Sequence, residues 1–341
     1  MLGLTQIQLS FRAYARNLPI LFQHIIKRFL PLVEMTSVRK SYMYKFIINI
    51  SFFAVVTFSS CQRLDNLLYN NDNKITEYKL DNYTGEQDFI LDNSYLISDS
   101  LIHIFTLSSK APGESNSTTI YAIYIGNISK ISSDSVIMYC HGNKWHMDFY
   151  WQRAKLLAHS GGKNHFGVLM IDYRGYGLSE GKPSEEGLYA DVDEGLQWLK
   201  QNGLSSSRLM IYGFSMGSAP ATMLTANPRS MTPSKLILEA PFASAATMVQ
   251  DGSQLSMPAS FVTNLKIDNG EEIKKVNQPF MWMHGNNDNF LNYKTHGQVI
   301  YDNYKGTYKE AHIIDGADHG EIPVKDGFTK YCSDLFTFIK K

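Results

Sequence analysis

The chain is poor in cysteine, with three (Cys61, Cys140 and Cys332) in 341 residues. That excludes a disulfide framework and any four-cysteine zinc site. A Cys140–Cys332 bridge would need a Cα approach that sequence alone does not supply, so two buried free thiols are the simpler expectation. Long hydrophobic runs are also lacking. The mostly apolar stretch Phe46–Phe58 holds thirteen residues, about 20 Å as a helix against a hydrocarbon core of ~30 Å. Net charge is absent too, with 32 Lys and Arg balancing 32 Asp and Glu. The balance hides an asymmetry. Residues 1–60 hold seven bases (Arg12, Arg16, Lys27, Arg28, Arg39, Lys40, Lys45) and one acid, Glu34, leaving 25 bases and 31 acids from Cys61 onward, a net of −6. A mildly acidic body without a basic stripe argues against nucleic acid as a partner. No internal repeat is visible. What is there, 44% hydrophobic and 19% charged, is a globular composition, with room for one large α/β domain or two ordinary ones.

The front end reads as an address. Residues 39–61 are RKSYMYKFIINISFFAVVTFSSC: a basic stretch, a short apolar run, two small serines and Cys61, the plan of a secretory signal peptide. Phe58-Ser59-Ser60-Cys61 resembles the lipobox of bacterial lipoproteins, although Phe58 stands where leucine is usual. That resemblance implies a signal segment over 1–60, with 1–34 an over-extended start before Met35. Cys61 would be lipidated and become the mature N-terminus, on a protein exported and anchored to the periplasmic or surface side of a bacterial membrane. Residues 61–84 are polar and Asn-rich, and are expected to form a tether. The alternative is a cytosolic or organelle-targeted enzyme. Arg12 to Arg28 is basic, apolar and acid-free like a transit peptide, and Pro19 and Pro31 interrupt any single long helix.

From residue 85 the hydrophobic period switches repeatedly. After a first β-rich stretch, strands are expected at Ile120–Ile125, Val136–Tyr139, Phe166–Ile171, Arg208–Tyr212, Leu236–Leu238, Phe280–Met283 and Ala311–Ile314. Helical composition covers Met147–His159, 184–203, Met216–Asn227, Tyr293–Tyr304 and the end from about Lys325. The clearest helix is 184–203. Ser184 can cap it, Glu185 and Glu186 suit its first turn, Gly203 ends it, and Leu188, Val192, Leu196 and Leu199 share one face. Short apolar strands alternating with helices predict a mostly parallel sheet covered on both faces. Residues 244–278 break the rhythm and are the expected cap insertion.

Gly213-Phe214-Ser215-Met216-Gly217 matches G-x-S-x-G. The motif by itself is weak, but an expected strand ends at it and a helix begins within it, as a nucleophile elbow requires. Gly213 and Gly217 leave room where Cβ atoms would collide, and the turn strains the backbone at Ser215. A serine hydroxyl needs an adjacent base, itself oriented by an acid. Asp288 lies in the loop after Phe280–Met283, and His319 lies after Ala311–Ile314. The order Ser215…Asp288…His319 is the order expected for such a site. Asp315, Asp318 and Glu239 are competing carboxylates. The oxyanion donors expected are the backbone N–H groups of Met216 and, from Tyr139-Cys140-His141-Gly142-Asn143, of Asn143, with Lys144 as the other choice. His141 and His146 lack a third spaced ligand, so no metal is expected, and His141 reads as a hydrogen bonder within its loop.

Asp172-Tyr173-Arg174-Gly175-Tyr176-Gly177-Leu178-Ser179-Glu180-Gly181 resembles the D-x-R-G-x-G-x-S-x-G segment of the serine aminopeptidase and esterase-like branch of α/β hydrolases. His141-Gly142-Asn143, Gly213–Gly217, Leu238–Phe242, His284–Asp288 and His319 fall in that branch's order, and the likeness covers about residues 85–341. It implies an eight-stranded, mostly parallel sheet flanked by helices, with a small cap. It also implies that Asp172 and Arg174 build a buried turn near the site. Many relatives carry a small, Gly-containing loop after H-G-N, where this chain has Lys144-Trp145-His146. The expected activity is cleavage of a small acyl ester, a lipid-like ester or a thioester through an acyl-enzyme, without a cofactor. The alternatives are a peptidase or amidase of the same fold, and a catalytically weak, surface-anchored binding protein.

Overall fold

The computed structural model describes residues 69–71, 75–83, 85–86, 89–253 and 263–341. The chain divides into two units, Met1–Gln62 and Arg63–Lys341, and the described residues all belong to the second. The expected signal segment 1–60, Cys61 and the middle of the expected cap, 254–262, lie outside the described residues.

Eight strands form one sheet: β1 Ile102–Ser109, β2 Thr118–Ile125, β3 Val136–Cys140, β4 Gly167–Ile171, β5 Leu209–Phe214, β6 Lys235–Glu239, β7 Phe280–Gly285 and β8 Lys309–Ile314. Their spatial order is β1-β2-β4-β3-β5-β6-β7-β8. β2 runs antiparallel to both β1 and β4, and the remaining pairs are parallel. This is the α/β-hydrolase fold. β3, β4, β5 and β7 are buried at every position, as a sheet covered on both faces demands, so their sequences are apolar runs rather than alternations. β1, at the edge, alternates buried with exposed positions toward its C-terminal end.

The helices are α1 Trp151–Ala158, α2 Glu185–Gln201, α3 Ser218–Ala226, α4 Ala245–Ser253, α5 Asn269–Glu272, α6 Gly297–Asn303, α7 Ile322–Asp326 and α8 Phe328–Lys340. α2 starts as expected: the Ser184 side chain accepts the Gly187 N–H, and Leu188, Val192, Leu196 and Leu199 are buried. Three helices are shorter or more broken than their composition suggests. Met147–Tyr150 is turn rather than helix; there the Met147 N–H donates to Asp172 and the Asp148 carboxylate accepts from Lys79 and Leu80 N–H. The stretch before α6 is held by the His296 and Asn292 backbones in turns. The C-terminal helix breaks at Gly327, whose φ of 82° no ordinary side chain favours.

The expected boundary at residue 85 is too late. Tyr78 Oη donates to Asp172 Oδ2 at 2.6 Å, and Lys155 pairs with Asp81. The Asn70 carbonyl accepts the Trp145 N–H at 3.0 Å. The described part of 61–84 therefore packs on the body. Its polar, Asn-rich composition hid the few residues that reach buried carboxylates. Cys140 and Cys332 are both buried free thiols.

Candidate active site

The site sits where parallel strands end. β5 runs straight into the elbow: Ser215 has φ 51°, in the left-handed region, and Ser215–Gly217 form a 3-10 turn that continues into α3. Such a conformation costs a non-glycine residue ~1–3 kcal/mol and lifts its side chain out of the strand. The neighbouring glycines permit it. A Cβ at Gly213 would strike the Gly217 carbonyl, and one at Gly217 would strike the Cys140 carbonyl on β3.

β8 lies three strands from β5, about 14 Å at the usual spacing, so its loop must fold back to reach Ser215. Backbone hydrogen bonds between the β7 and β8 loops do this. Asn286 N–H donates to the Ile314 carbonyl and Asn287 N–H to the Ala317 carbonyl, both at 3.1 Å, while Gly316 N–H donates to Asn286 Oδ1 at 2.8 Å. The result is a connected row. His319 Nε2 lies 2.9 Å from Ser215 Oγ, and His319 Nδ1 lies 2.8 Å from Asp288 Oδ2. Because a carboxylate only accepts, Nδ1 carries the proton and Nε2 is left to accept from the serine hydroxyl.

Asp288 is well supplied with donors. Its Oδ1 accepts the Phe290 and Leu291 N–H groups at 2.9 and 2.7 Å. Burial alone would raise its pKa, but the charge on His319 and hydrogen bonds from His284 and His319 outweigh that and hold the carboxyl well below the usual range. The competing acids are engaged elsewhere. Asp315 accepts from the Asn286 side chain, and Asp318 from the Asn289 and His319 N–H groups. Glu239 is buried with Arg153, Tyr212 and Tyr331.

Opposite the elbow, the loop after β3 is braced from several sides. Asn143 Oδ1 accepts from Tyr176 Oη at 2.6 Å and from Asn70 N–H at 2.9 Å. The Lys144 N–H donates to Tyr150 Oη at 3.0 Å, which spends the donor that Lys144 offered as an alternative to Asn143. His141 Nδ1 lies 2.7 Å from the Gly142 carbonyl, with its ring between Tyr150 and Tyr173. His146 is buried with Tyr83 edge-on at 5.0 Å, and burial pushes its pKa down. Asp172 and Arg174 are buried as the resemblance implies, with Arg174 paired to Asp191 and Glu114, while Glu180 and Gly181 at the end of the segment are exposed.

Sequence reasoning passed over Arg153 and assigned no role to His284. Arg153 Nη2 donates to the Gly320 carbonyl, next to His319, and its guanidinium lies 4.2 Å over the Phe214 ring, next to Ser215. His284 contacts Asp288 directly. A signal existed for His284 alone: it shares a strand face with Trp282, two residues away, just before the Asp288 loop.

A family model described as serine aminopeptidase, S33, matches residues 131–278, which include Ser215 and stop short of Asp288 and His319. Mouse alpha/beta hydrolase domain-containing protein 17C is 28% identical over 211 residues, 61% of this chain and 60% of that protein. The Caenorhabditis elegans protein aho-3, also named as alpha/beta hydrolase domain-containing, is 27% identical over 61% of this chain and 58% of its own. The chain thus spans about 60% of the length of the mouse relative. Among solved structures, an esterase of Pyrococcus furiosus superposes with a TM-score of 0.58 at 18% identity, covering 80% of this chain and 97% of the esterase. An alpha-beta hydrolase of Vibrio vulnificus gives 0.51 at 20% identity, covering 70% of this chain and 80% of its own. The sheet order and these likenesses give the chain the α/β-hydrolase fold, with similarity over residues 131–278 to the serine aminopeptidases and over about 211 residues to alpha/beta hydrolase domain-containing proteins.

Proposed function

We propose that the chain is a serine hydrolase that cleaves a carboxylic ester or thioester through an acyl-enzyme. One observation carries the reading: a single imidazole, His319, touches Ser215 Oγ with one nitrogen and Asp288 with the other. Ser215 Oγ attacks the substrate carbonyl as its proton passes to His319 Nε2. The tetrahedral oxyanion is received by the N–H groups of Met216 and Asn143. Collapse breaks the bond to the leaving group, which takes the proton from His319. Water then repeats the sequence on the acyl-enzyme and frees the acid.

Titration with a fluorophosphonate, followed by a panel of esters, thioesters and amides graded by chain length, tests this. Stoichiometric labelling lost in Ser215→Ala, with turnover of esters or thioesters, is expected. Absence of labelling would favour a binding protein that keeps the fold without turnover. The description of the matching family as serine aminopeptidases favours the second reading, a peptidase or amidase; faster turnover of amides than of matched esters would select it.

The proposed location is an exported lipoprotein carried on Cys61. Eight residue steps separate Cys61 from Tyr69, at most about 28 Å of extended chain, so the body would work close to the membrane surface and lipid-like acyl substrates would suit it. Mass spectrometry of the N-terminus decides this. A mature chain beginning at lipidated Cys61 is expected, and an unmodified chain beginning upstream of Met35 would overturn it.

A further inference from the structure

The Asp288 carboxylate faces two imidazoles, and the proposed mechanism uses only one. His284, fully buried on β7, places Nε2 3.1 Å from Asp288 Oδ2 and 2.9 Å from the Leu291 carbonyl. Its Nδ1 lies 3.1 Å from Trp282 Nε1. An indole nitrogen donates and never accepts. His284 Nδ1 must therefore be the acceptor, and the one ring proton of the neutral imidazole sits on Nε2, where it is shared between Asp288 and Leu291. The start of α6 packs onto this pair so closely that a Cβ at Gly297 would collide with Trp282 Nε1 and His284 Nδ1.

We propose that His284 is a positioning residue for acyl transfer: locked as its Nε2–H tautomer by Trp282, it shares Asp288 Oδ2 with His319 and so sets both the aim and the basicity of that carboxylate. This rests on the reading of Ser215, His319 and Asp288 as the reacting row. A carboxylate that loses a donor becomes more basic and freer to rotate. It then holds the imidazolium of His319 more tightly and returns less readily to the geometry that leaves Nε2 aimed at the serine. Other titratable groups face the cluster without bonding to Asp288. His296 precedes α6 and lies 3.3 Å from Asp251 of α4, and Asp318 accepts the Asn289 N–H. Neither supplies what His284 supplies.

The test compares His284→Leu, His284→Gln and Trp282→Phe in the full chain, with pH profiles of kcat and kcat/KM on one ester. His284→Leu removes the donor; kcat is expected to fall about tenfold or more and the acid limb of the profile to move up by about half a unit to one unit. His284→Gln keeps an N–H at the Nε2 position and is expected to restore most of the rate and the wild-type midpoint. A folded His284→Leu enzyme with wild-type kcat and an unmoved acid limb overturns the proposal. Nitrogen-15 spectra of histidine-labelled protein give a readout independent of turnover, with the His284 signals identified by their loss in His284→Gln. Protonated Nε2 with bare Nδ1 is expected in the wild type, and a mixture of tautomers in Trp282→Phe. A wild-type His284 carrying its proton on Nδ1 overturns the proposal even if His284→Leu fails to fold. If Ser215→Ala keeps its activity, the reaction assigned to the site fails, while the tautomer measurement still reports on the Trp282–His284–Asp288 row.

Discussion

Two aspartate–histidine pairs stand above the same sheet, each joining loops that follow adjacent parallel strands. His141 follows β3 and Asp172 follows β4, while Asp288 follows β7 and His319 follows β8. In the first pair His141 Nε2 lies 3.3 Å from Asp172 Oδ1 without making a hydrogen bond, and both side chains are fully buried. Asp172 spends itself on Met147 N–H and Tyr78 Oη. In the second pair His319 is 20% exposed, bonds Asp288 at 2.8 Å and extends its other nitrogen to Ser215. An aspartate beside a histidine is therefore not a reaction site. What distinguishes the second pair is an imidazole whose far nitrogen reaches a strained, raised hydroxyl. Asp172 ties Tyr78 and Met147 together beneath the loop that carries Asn143, with His141 packed against it.

Breaking the second pair should cost rate. Ser215→Ala is expected to lose at least three powers of ten in kcat with an unchanged melting temperature, and Asp288→Asn about four, because the amide favours the wrong imidazole tautomer. Purified Ser215→Ala with more than about a tenth of wild-type turnover would remove Ser215 from the mechanism. Asp318→Asn should stay within a few-fold of wild type, and a loss as large as that of Asp288→Asn would move the acid.

Breaking the first pair should cost stability instead. Asp172→Asn leaves one acceptor oxygen where two now receive Met147 N–H and Tyr78 Oη, and is expected to lose about 2–3 kcal/mol in denaturant unfolding. Turnover per folded molecule, counted by active-site titration, should change less than about tenfold. A larger loss in fully folded protein would show that the two pairs are not separable.

Acid stability sharpens the contrast. The Asp288 carboxyl is depressed in the folded state, so the unfolded chain binds the extra proton first. Its contribution, about 2 kcal/mol, is present above the ordinary carboxylate range and fades as pH falls through that range toward the folded value. In unfolding measured between pH 6 and 2.5, Asp288→Asn should flatten the curve relative to wild type; an equally steep curve would place the acid sensitivity elsewhere.

The smallest effect concerns what lies against each imidazole. His141 is enclosed by Tyr150 and Tyr173, whereas His319 has Phe290 edge-on at 5.1 Å, with that ring 47% exposed. Phe290→Ala is expected to lose about 0.5–1.5 kcal/mol of aromatic contact, read as a several-fold fall in kcat/KM that is larger for long acyl chains. Equal losses across chain lengths would confine Phe290 to holding His319.

Much of this was legible in the residues because it depends on local order along the chain. The elbow needs Gly213 and Gly217 around Ser215 between a strand and a helix, and parallel topology brings successive strand ends to one edge. That Ser215, Asp288 and His319 all stand just beyond strand ends could therefore be read from position, as could the mostly parallel sheet. Helix ends were less legible: Met147–Tyr150 has helical composition but forms turns, with the Met147 N–H bonded to Asp172, distant in sequence. The domain start was misread for a related reason, since Tyr78 and Asp81 look like tether until the partners Asp172 and Lys155 are in place. Only the tertiary structure decided which carboxylate among Glu239, Asp288, Asp315 and Asp318 lies against the His319 ring, that Lys144 has spent its N–H, that Arg153 spans from Glu239 to Gly320, and that His284 shares Asp288 with His319. Each of these depends on the direction of a donor across strands far apart in sequence. Hydrophobic period and motif spacing specify where a strand ends, but they carry no information on which hydrogen bond a side chain makes there.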